Sequence, residues 1–313
     1  MAAARLVAVV GPTAVGKTRI AIAIAKRFGG EIVSADSMQI YRGLDIGSAK
    51  PSAEERLEAV HHLLDFADPR RGFSAAEYQR LAREAVLDIA GRGRLPILAG
   101  GTGLYVSSVI YDLDFSAPPL GDDFREELAR EAREGGAALL HDRLRLLDAE
   151  AAARIHPNNL KKIVRALEIL HSQGGAGRLR PFSEAFRPWA GCEARIIGLD
   201  RERDELHGRI ESRVDRLMEA GLADEVKRLA ADGLSEENIS MMGIGYKEIL
   251  GALRGEYGMD RAVCLIKRNS RRYARRQLTW FRRYPGVRWF SLSGDGEAAL
   301  EAILGHLSAD AAR

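Results

Sequence analysis

The chain has 313 residues, 46% hydrophobic and 29% charged, a balance that supports a large apolar core and excludes disorder as the main state. Its longest uncharged run, residues 95–111, is interrupted by Pro96, Gly100, Gly101 and Gly103, which excludes a membrane span there. The net charge of +3 hides an asymmetry: residues 261–294 hold ten Lys or Arg and no Asp or Glu, so the rest of the chain carries −7 and a polyanionic partner is expected.

Residues 6–10 form an apolar run of strand length closed by Gly11. Because that run passes straight into a glycine loop, no signal-peptide core is expected. Residues 19–28 have helical composition and stop at Gly29-Gly30, a glycine C-terminal signal. Ile32 and Val33 predict a second short strand, leading into Ser34-Ala35-Asp36-Ser37. Residues 77–92 predict an amphipathic helix with Leu81, Ala85, Val86 and Ile89 on one side. A third strand, 95–99, ends in Gly100-Gly101-Thr102-Gly103. Strand, glycine turn and helix in repeated order predict an α/β fold, a P-loop NTPase-like parallel sheet with helices on both faces. From 122 to 172 the pattern is helical, and 173–191, rich in Gly, Arg and Pro, reads as a loop or mobile segment. A strand at 194–199 then precedes helices near 202–220, 223–231, 245–253 and 261–283. The expected organisation is a core at 1–115 and 194–313 interrupted by an all-helical insertion at 116–193.

Gly11-Pro12-Thr13-Ala14-Val15-Gly16-Lys17-Thr18 matches G-x-x-x-x-G-K-[ST], with a strand before it and a helix after. Such a loop turns backbone N–H groups onto a phosphate, Lys17 adds a mobile charge, and the Thr18 hydroxyl can reach Mg²⁺. The pattern specifies a diphosphate or triphosphate, ATP included. Asp36 sits at the carboxyl end of a strand, where α/β sheets place ligands. It can serve as a base beside bound phosphates, or equally as a helix cap or a carboxylate behind magnesium. Two cysteines, Cys192 and Cys264, lack CxxC spacing, and the seven histidines lack HxxxH or HExxH spacing. No disulfide framework or zinc site is expected, and a reducing cytoplasm is the simplest compartment. Nothing in the pattern demands more than a monomer.

Residues 266–284 read IKRNSRRYARRQLTWFRRY. In a helix, Lys267, Arg271 and Arg275 form one row and Arg268, Arg272 and Arg276 the next, with Ile266, Tyr273 and Trp280 anchoring the opposite face. So many uncompensated cations repel one another, and a phosphate backbone relieves that repulsion. A weaker basic patch lies at 159–165. A small-molecule kinase using ATP accounts for the first third but leaves the basic stretch idle, and a non-catalytic RNA-binding NTPase leaves Asp36 unused.

Taken together, GPTAVGKT (11–18), SADSMQIYR (34–42), DIGSAKP (45–51), GGTGLY (100–105), HPNN and RALE (within 156–168), MGIGYKE (242–248) and RRQLTWF (275–281) resemble the tRNA dimethylallyltransferase family. The resemblance implies transfer of a dimethylallyl group from dimethylallyl diphosphate to N6 of adenine 37, just 3′ of the tRNA anticodon, on a P-loop core whose insertion clasps the anticodon stem-loop. It makes Gly11 through Thr18 the diphosphate seat with Mg²⁺ on Thr18, Asp36 the general base, and Arg213 the stabiliser of departing diphosphate. Asp36, Ser37, Met38 and Gln39 would line the target base, with Thr102 and Arg125 also on the RNA. Lys161, Lys162, Ile163, Val164 and Arg165 would meet the tRNA. So would Met242, Gly243, Ile244, Gly245, Tyr246 and Lys247, and Arg275, Arg276, Gln277, Leu278, Thr279, Trp280, Phe281 and Arg282. Lys161 and Lys162 stand where the family often has Gln-Arg or Arg-Arg, so the charge is kept without the planar fork.

Overall fold

A computed structural model describes residues 3–115, 122–172, 178–179, 186–294 and 296–311. The chain divides into two compact units, Met1–Tyr111 with Pro188–Arg313, and Asp112–Arg187. The expected insertion at 116–193 starts four residues too late and ends six too late. Pro188, Trp189 and Gly191 stay with the first unit because Trp189 N–H donates to the Ile110 carbonyl and Ala4 N–H to that of Gly191, while Arg83 lies 4.5 Å over the Trp189 ring.

The first unit is built on a six-stranded, wholly parallel sheet. Its strands are β1 (Ala4–Val10), β2 (Gly30–Ser34), β3 (His61–His62), β4 (Leu95–Gly100), β5 (Cys192–Asp200) and β6 (Arg288–Ser291), in the spatial order β3-β2-β4-β1-β5-β6. Central β1 reads as a continuous apolar run because both its faces are covered, as parallel sheets require. The edge strands β3 and β6 have too few apolar residues to stand out in the sequence. His62, on β3, bonds Glu31 through Nε2 at 2.7 Å, and Arg92 grips the same carboxylate, holding Glu31 down at about 2. These histidines serve structure.

Helix α1 (Lys17–Phe28) begins at the loop's lysine and ends at Gly29, whose φ of +64° is the left-handed stop. α2 (Ala53–Glu58) is a short helix of 6 residues that no apolar periodicity marks. α3 (Ala75–Gly91) carries a capping box between Ser74 and Glu77. Its buried stripe is Tyr78, Ala82, Val86 and Ile89, so Leu81 and Ala85 stand beside the core face rather than on it. The cause is Tyr78, which stacks on Tyr105 at 3.8 Å and donates to the Ser34 carbonyl, setting the helix's rotation. α4 (Gly103–Ile110) follows β4.

The second unit contains α5 (Asp122–Leu147), α6 (Ala149–Arg154) and α7 (Leu160–Ser172), with α5 broken at Gly136, where φ is +71°. These helices close on their own core of Leu128, Leu140, Leu144, Ile163, Leu167 and Leu170. Most of the predicted loop at 173–191 falls outside the described residues. Back in the first unit, α8 (Arg203–Glu219), α9 (Leu222–Ala231), α10 (Tyr246–Leu253) and α11 (Met259–Phe281) pack around Tyr246, Ile249, Ala262 and Ile266, and α12 (Glu297–Ala311) joins the sheet core through Ile303 and Leu307. No helix among the described residues is long and apolar enough to cross a membrane.

Candidate functional site

The loop from Gly11 to Thr18 leaves the carboxyl end of β1 with positive φ at Gly11 (+153°), Ala14 (+62°) and Gly16 (+114°). A Cβ on Gly11 would stand 2.5 Å from the Leu199 carbonyl oxygen of β5, so that position admits only glycine. Cations hold the loop's carbonyls from behind. Arg201 Nε donates to Val15 O at 3.2 Å and Arg209 Nε to Ala14 O at 3.1 Å. Lys17 Nζ donates to Gly11 O at 3.1 Å and Pro12 O at 2.8 Å. With these carbonyls engaged, the amino end of α1 is the anion-facing side of the turn.

A polar cavity of about 270 Å³ opens at this loop, walled by Lys17, Thr18, Arg19, Arg209, Arg213 and Arg216 against only Asp36 and Glu55. Burial, reinforced by Arg213, draws the Lys17 ammonium down to about 7, with Asp36 opposing. Burial also lowers Arg213, and Asp36 again opposes. Among the described residues no carboxylate lies within ion-pair distance of Arg213. Two desolvated cations in one cavity with so little compensating charge have the chemistry to accept a polyanion.

A second cavity, about 310 Å³ and largely apolar, adjoins the first, and Thr13, Ala14, Asp36, Arg213 and Tyr273 line both. Met38, Ile210, Val214, Leu217, Ile244 and Ile266 supply its apolar walls. Asp36 follows β2, and its Oδ1 accepts the Met38 N–H at 2.9 Å, an Asx turn that fixes the carboxylate. Oδ2 makes no hydrogen bond among the described residues. Beside it, Thr102 Oγ1 accepts the Ser37 N–H at 2.9 Å, and Thr102 N–H donates to the Ala35 carbonyl. A Cβ on Gly100 would lie 2.1 Å from that same carbonyl oxygen, which explains the glycine turn after β4. Gln39 is spent on the Ser48 and Ala49 carbonyls.

Several residues expected on the RNA lie inside the protein instead. Tyr246 is fully buried, donating to Glu225 Oε1 at 2.8 Å and accepting the Ser48 N–H. Phe281 and Ile163 are core residues, and Trp280 packs on Gly103 with its Nε1 donating to Tyr284 Oη at 3.1 Å. Gln277 is 5% exposed and bridges two loops. Gly245 is buried, and Leu278, Val164, Gly243, Ile244 and Lys247 are half-buried. Lys161, Lys162, Arg165, Met242, Arg275, Arg276, Thr279 and Arg282 are exposed, though Arg165 also pairs with Glu168 at 3.0 Å. The side chain of Arg125 lies outside the described residues.

Sequence reading missed Arg209, Arg216 and Glu225. Glu225 accepts the N–H groups of Asp45, Ile46 and Gly47 at 2.8–3.0 Å and so shapes the wall of the apolar cavity. No local pattern marks a lone Glu on α9 for that task. Among the described residues no group of three His, Cys, Asp or Glu side chains could hold a metal by itself.

Fold and site put the chain among phosphate-loop α/β proteins with a divided cavity, cationic on one side and apolar on the other. A family model described as IPP transferase matches residues 39–284, and the chain belongs to that family. The tRNA dimethylallyltransferase of Alkaliphilus oremlandii is 47% identical over 289 residues, 92% of each chain. That of Geobacillus thermodenitrificans is 47% identical over 300 residues, 95% of this chain and 93% of its own. Among solved structures, the tRNA isopentenylpyrophosphate transferase of Bacillus halodurans gives a TM-score of 0.73 at 44% identity, covering 97% of this chain and 96% of that one. A eukaryotic dimethylallyltransferase acting on tRNA gives 0.81 at 24% identity, covering 96% and 78%, a likeness of fold.

Proposed function

We propose that the chain transfers a dimethylallyl group from dimethylallyl diphosphate to N6 of adenine 37 in tRNA, releasing diphosphate. By family it is a prenyltransferase acting on tRNA. The donor, the target base and the residue roles are our reading. One observation carries it: Asp36 lines both the cationic and the apolar cavity, so a base there faces the junction between a leaving diphosphate and an entering nucleobase.

Adenine N6 is a weak nucleophile because its lone pair is delocalised into the ring. Breaking the allylic C1–O bond builds positive charge on carbon and negative charge on the departing diphosphate. Lys17, Arg213 and the α1 amino terminus are arranged to stabilise the latter. As the N6–C1 bond forms, Asp36 takes the N6 proton through its unengaged Oδ2. Thr102 holds the Ser37 backbone, and Ser37 and Met38 border the nucleobase. The base must leave the loop stack to arrive here. A magnesium ion fits the oxygen donors on the polar wall, the Thr18 hydroxyl with Glu55 lining the same cavity, and would neutralise diphosphate charge. Exposed Lys161, Lys162, Arg165, Arg275 and Arg282 are assigned to tRNA phosphates.

The test is to incubate the protein with unmodified tRNA and either dimethylallyl diphosphate or ATP, then weigh the digested nucleosides. Prenylated adenosine formed only with the prenyl donor is expected. Phosphate transfer from ATP without prenylation would overturn the reading.

A further inference from the structure

We propose that Gln277 is a positioning residue: from the basic helix α11 it locks the Pro12–Thr13 peptide of the phosphate loop to the Gly101 carbonyl, and so sets the diphosphate seat relative to the nucleobase side of the site. The inference rests on the diphosphate reading above and adds a residue role to it.

The geometry is specific. Gln277 Oε1 accepts the Thr13 N–H at 2.8 Å, and its Nε2 donates to Gly101 O at 2.9 Å. These partners fix which end of the amide is which, since one is a donor only and the other an acceptor only. In a trans peptide the N–H and C=O point in opposite directions. The carbonyl on the same peptide unit, Pro12 O, accepts from Lys17 Nζ. One peptide plane of the loop is therefore held at both ends, by Lys17 on one side and Gln277 on the other. A bound diphosphate draws Lys17 away from that carbonyl, and Gln277 then remains as the side chain that fixes the plane.

The other end of the bridge is equally constrained. A Cβ on Gly101 would come within 2.2 Å of Gln277 Nε2, so the amide occupies the space a side chain at 101 would need. Gly101 lies between Gly100, packed on the Ala35 carbonyl, and Thr102, which holds the Ser37 backbone beside Asp36. Gln277 is thus one amide away from each half of the divided cavity. At 5% exposure it has no surface left to offer an RNA.

The test uses Gln277→Met, which keeps the volume and removes both hydrogen bonds, with inorganic diphosphate and an unmodified tRNA transcript as separate binding probes. Diphosphate affinity and single-turnover transfer are each expected to fall roughly 10- to 30-fold, as for two lost hydrogen bonds. Affinity for tRNA alone should stay within about twofold. Gly101→Ala, which pushes the amide off from the opposite side, should give the same split and serves if the Met variant fails to fold. The double variant should cost no more than the worse single one. A loss of tRNA affinity with diphosphate binding intact, an unchanged Gln277→Met, or fully additive losses would each overturn the proposal. Wild-type protein that binds no diphosphate would instead overturn the functional reading beneath it.

Discussion

Lys17 and Arg213 share a cavity with few anions, and burial leaves Lys17 titrating near 7 before any diphosphate arrives. A bound diphosphate would restore its ordinary high value, so above pH 7 binding must take up a proton. The sign follows: affinity for inorganic diphosphate should fall as pH rises from 7 to 9, and Lys17→Met should weaken binding and flatten that part of the profile. Calorimetry in buffers of different ionisation heat counts the protons; a profile identical in the variant would refute it. Asp36 allows a separate check. Asp36→Asn retains the Asx turn but cannot accept a proton, so kcat should fall about 10²- to 10⁴-fold with both substrates still bound. Near-normal turnover would remove it as the base. Both residues announced themselves in the sequence, one by motif and one by its place after a strand. Glu225 and Arg209 did not, because their partners are backbone groups about 180 and 195 residues away in the chain.

At the scale of the element, α11 is where sequence and structure differ most usefully. Its charge reads as ten unopposed cations over 261–294. In the fold, Lys267 pairs with Asp215 at 2.6 Å and Arg271 with Glu211 at 2.5 Å, both acids carried by α8. The cations of one row are therefore partly spent inside the protein, while Arg268, Arg272 and Arg275 are exposed. Helical periodicity alone ranks the two rows equally, since it sees α11 and not α8. Replacing Arg272 and Arg276, both exposed and both in the second row, by Gln should weaken tRNA binding and reduce the slope of log affinity against log salt by about 2. Replacing Lys267 and Arg271 should reduce that slope less. Filter binding across a salt series separates the two, and equal slopes would place both rows on the RNA.

For the whole molecule, the helical second unit closes on its own apolar cluster. Leu167 is 1% exposed within that cluster, so Leu167→Ala should destabilise the second unit by about 2–5 kcal/mol. Hydrogen exchange should show the loss confined to 122–172, with inorganic diphosphate binding unchanged. A matching loss of protection in the sheet would mean that the two units unfold together. The kink at Gly136 belongs to the same scale: a run of helix formers reads as one helix until a glycine with φ of +71° divides it.

The sequence by itself determined the parallel α/β core, the glycine-rich loop, the place of Asp36 after a strand and the helical character of the insertion. Those features are local, written in short apolar runs, glycine positions and side-chain periodicity. Tertiary structure decided which helix face is buried, that Tyr246, Gln277 and Phe281 face protein rather than solvent, and that the edge strands β3 and β6 join the sheet at all. It also decided that Arg213, from a helix far along the chain, enters the same cavity as Lys17. The physical reason is that burial and pairing depend on partners distant in sequence, and no window along the chain contains both members of such a pair.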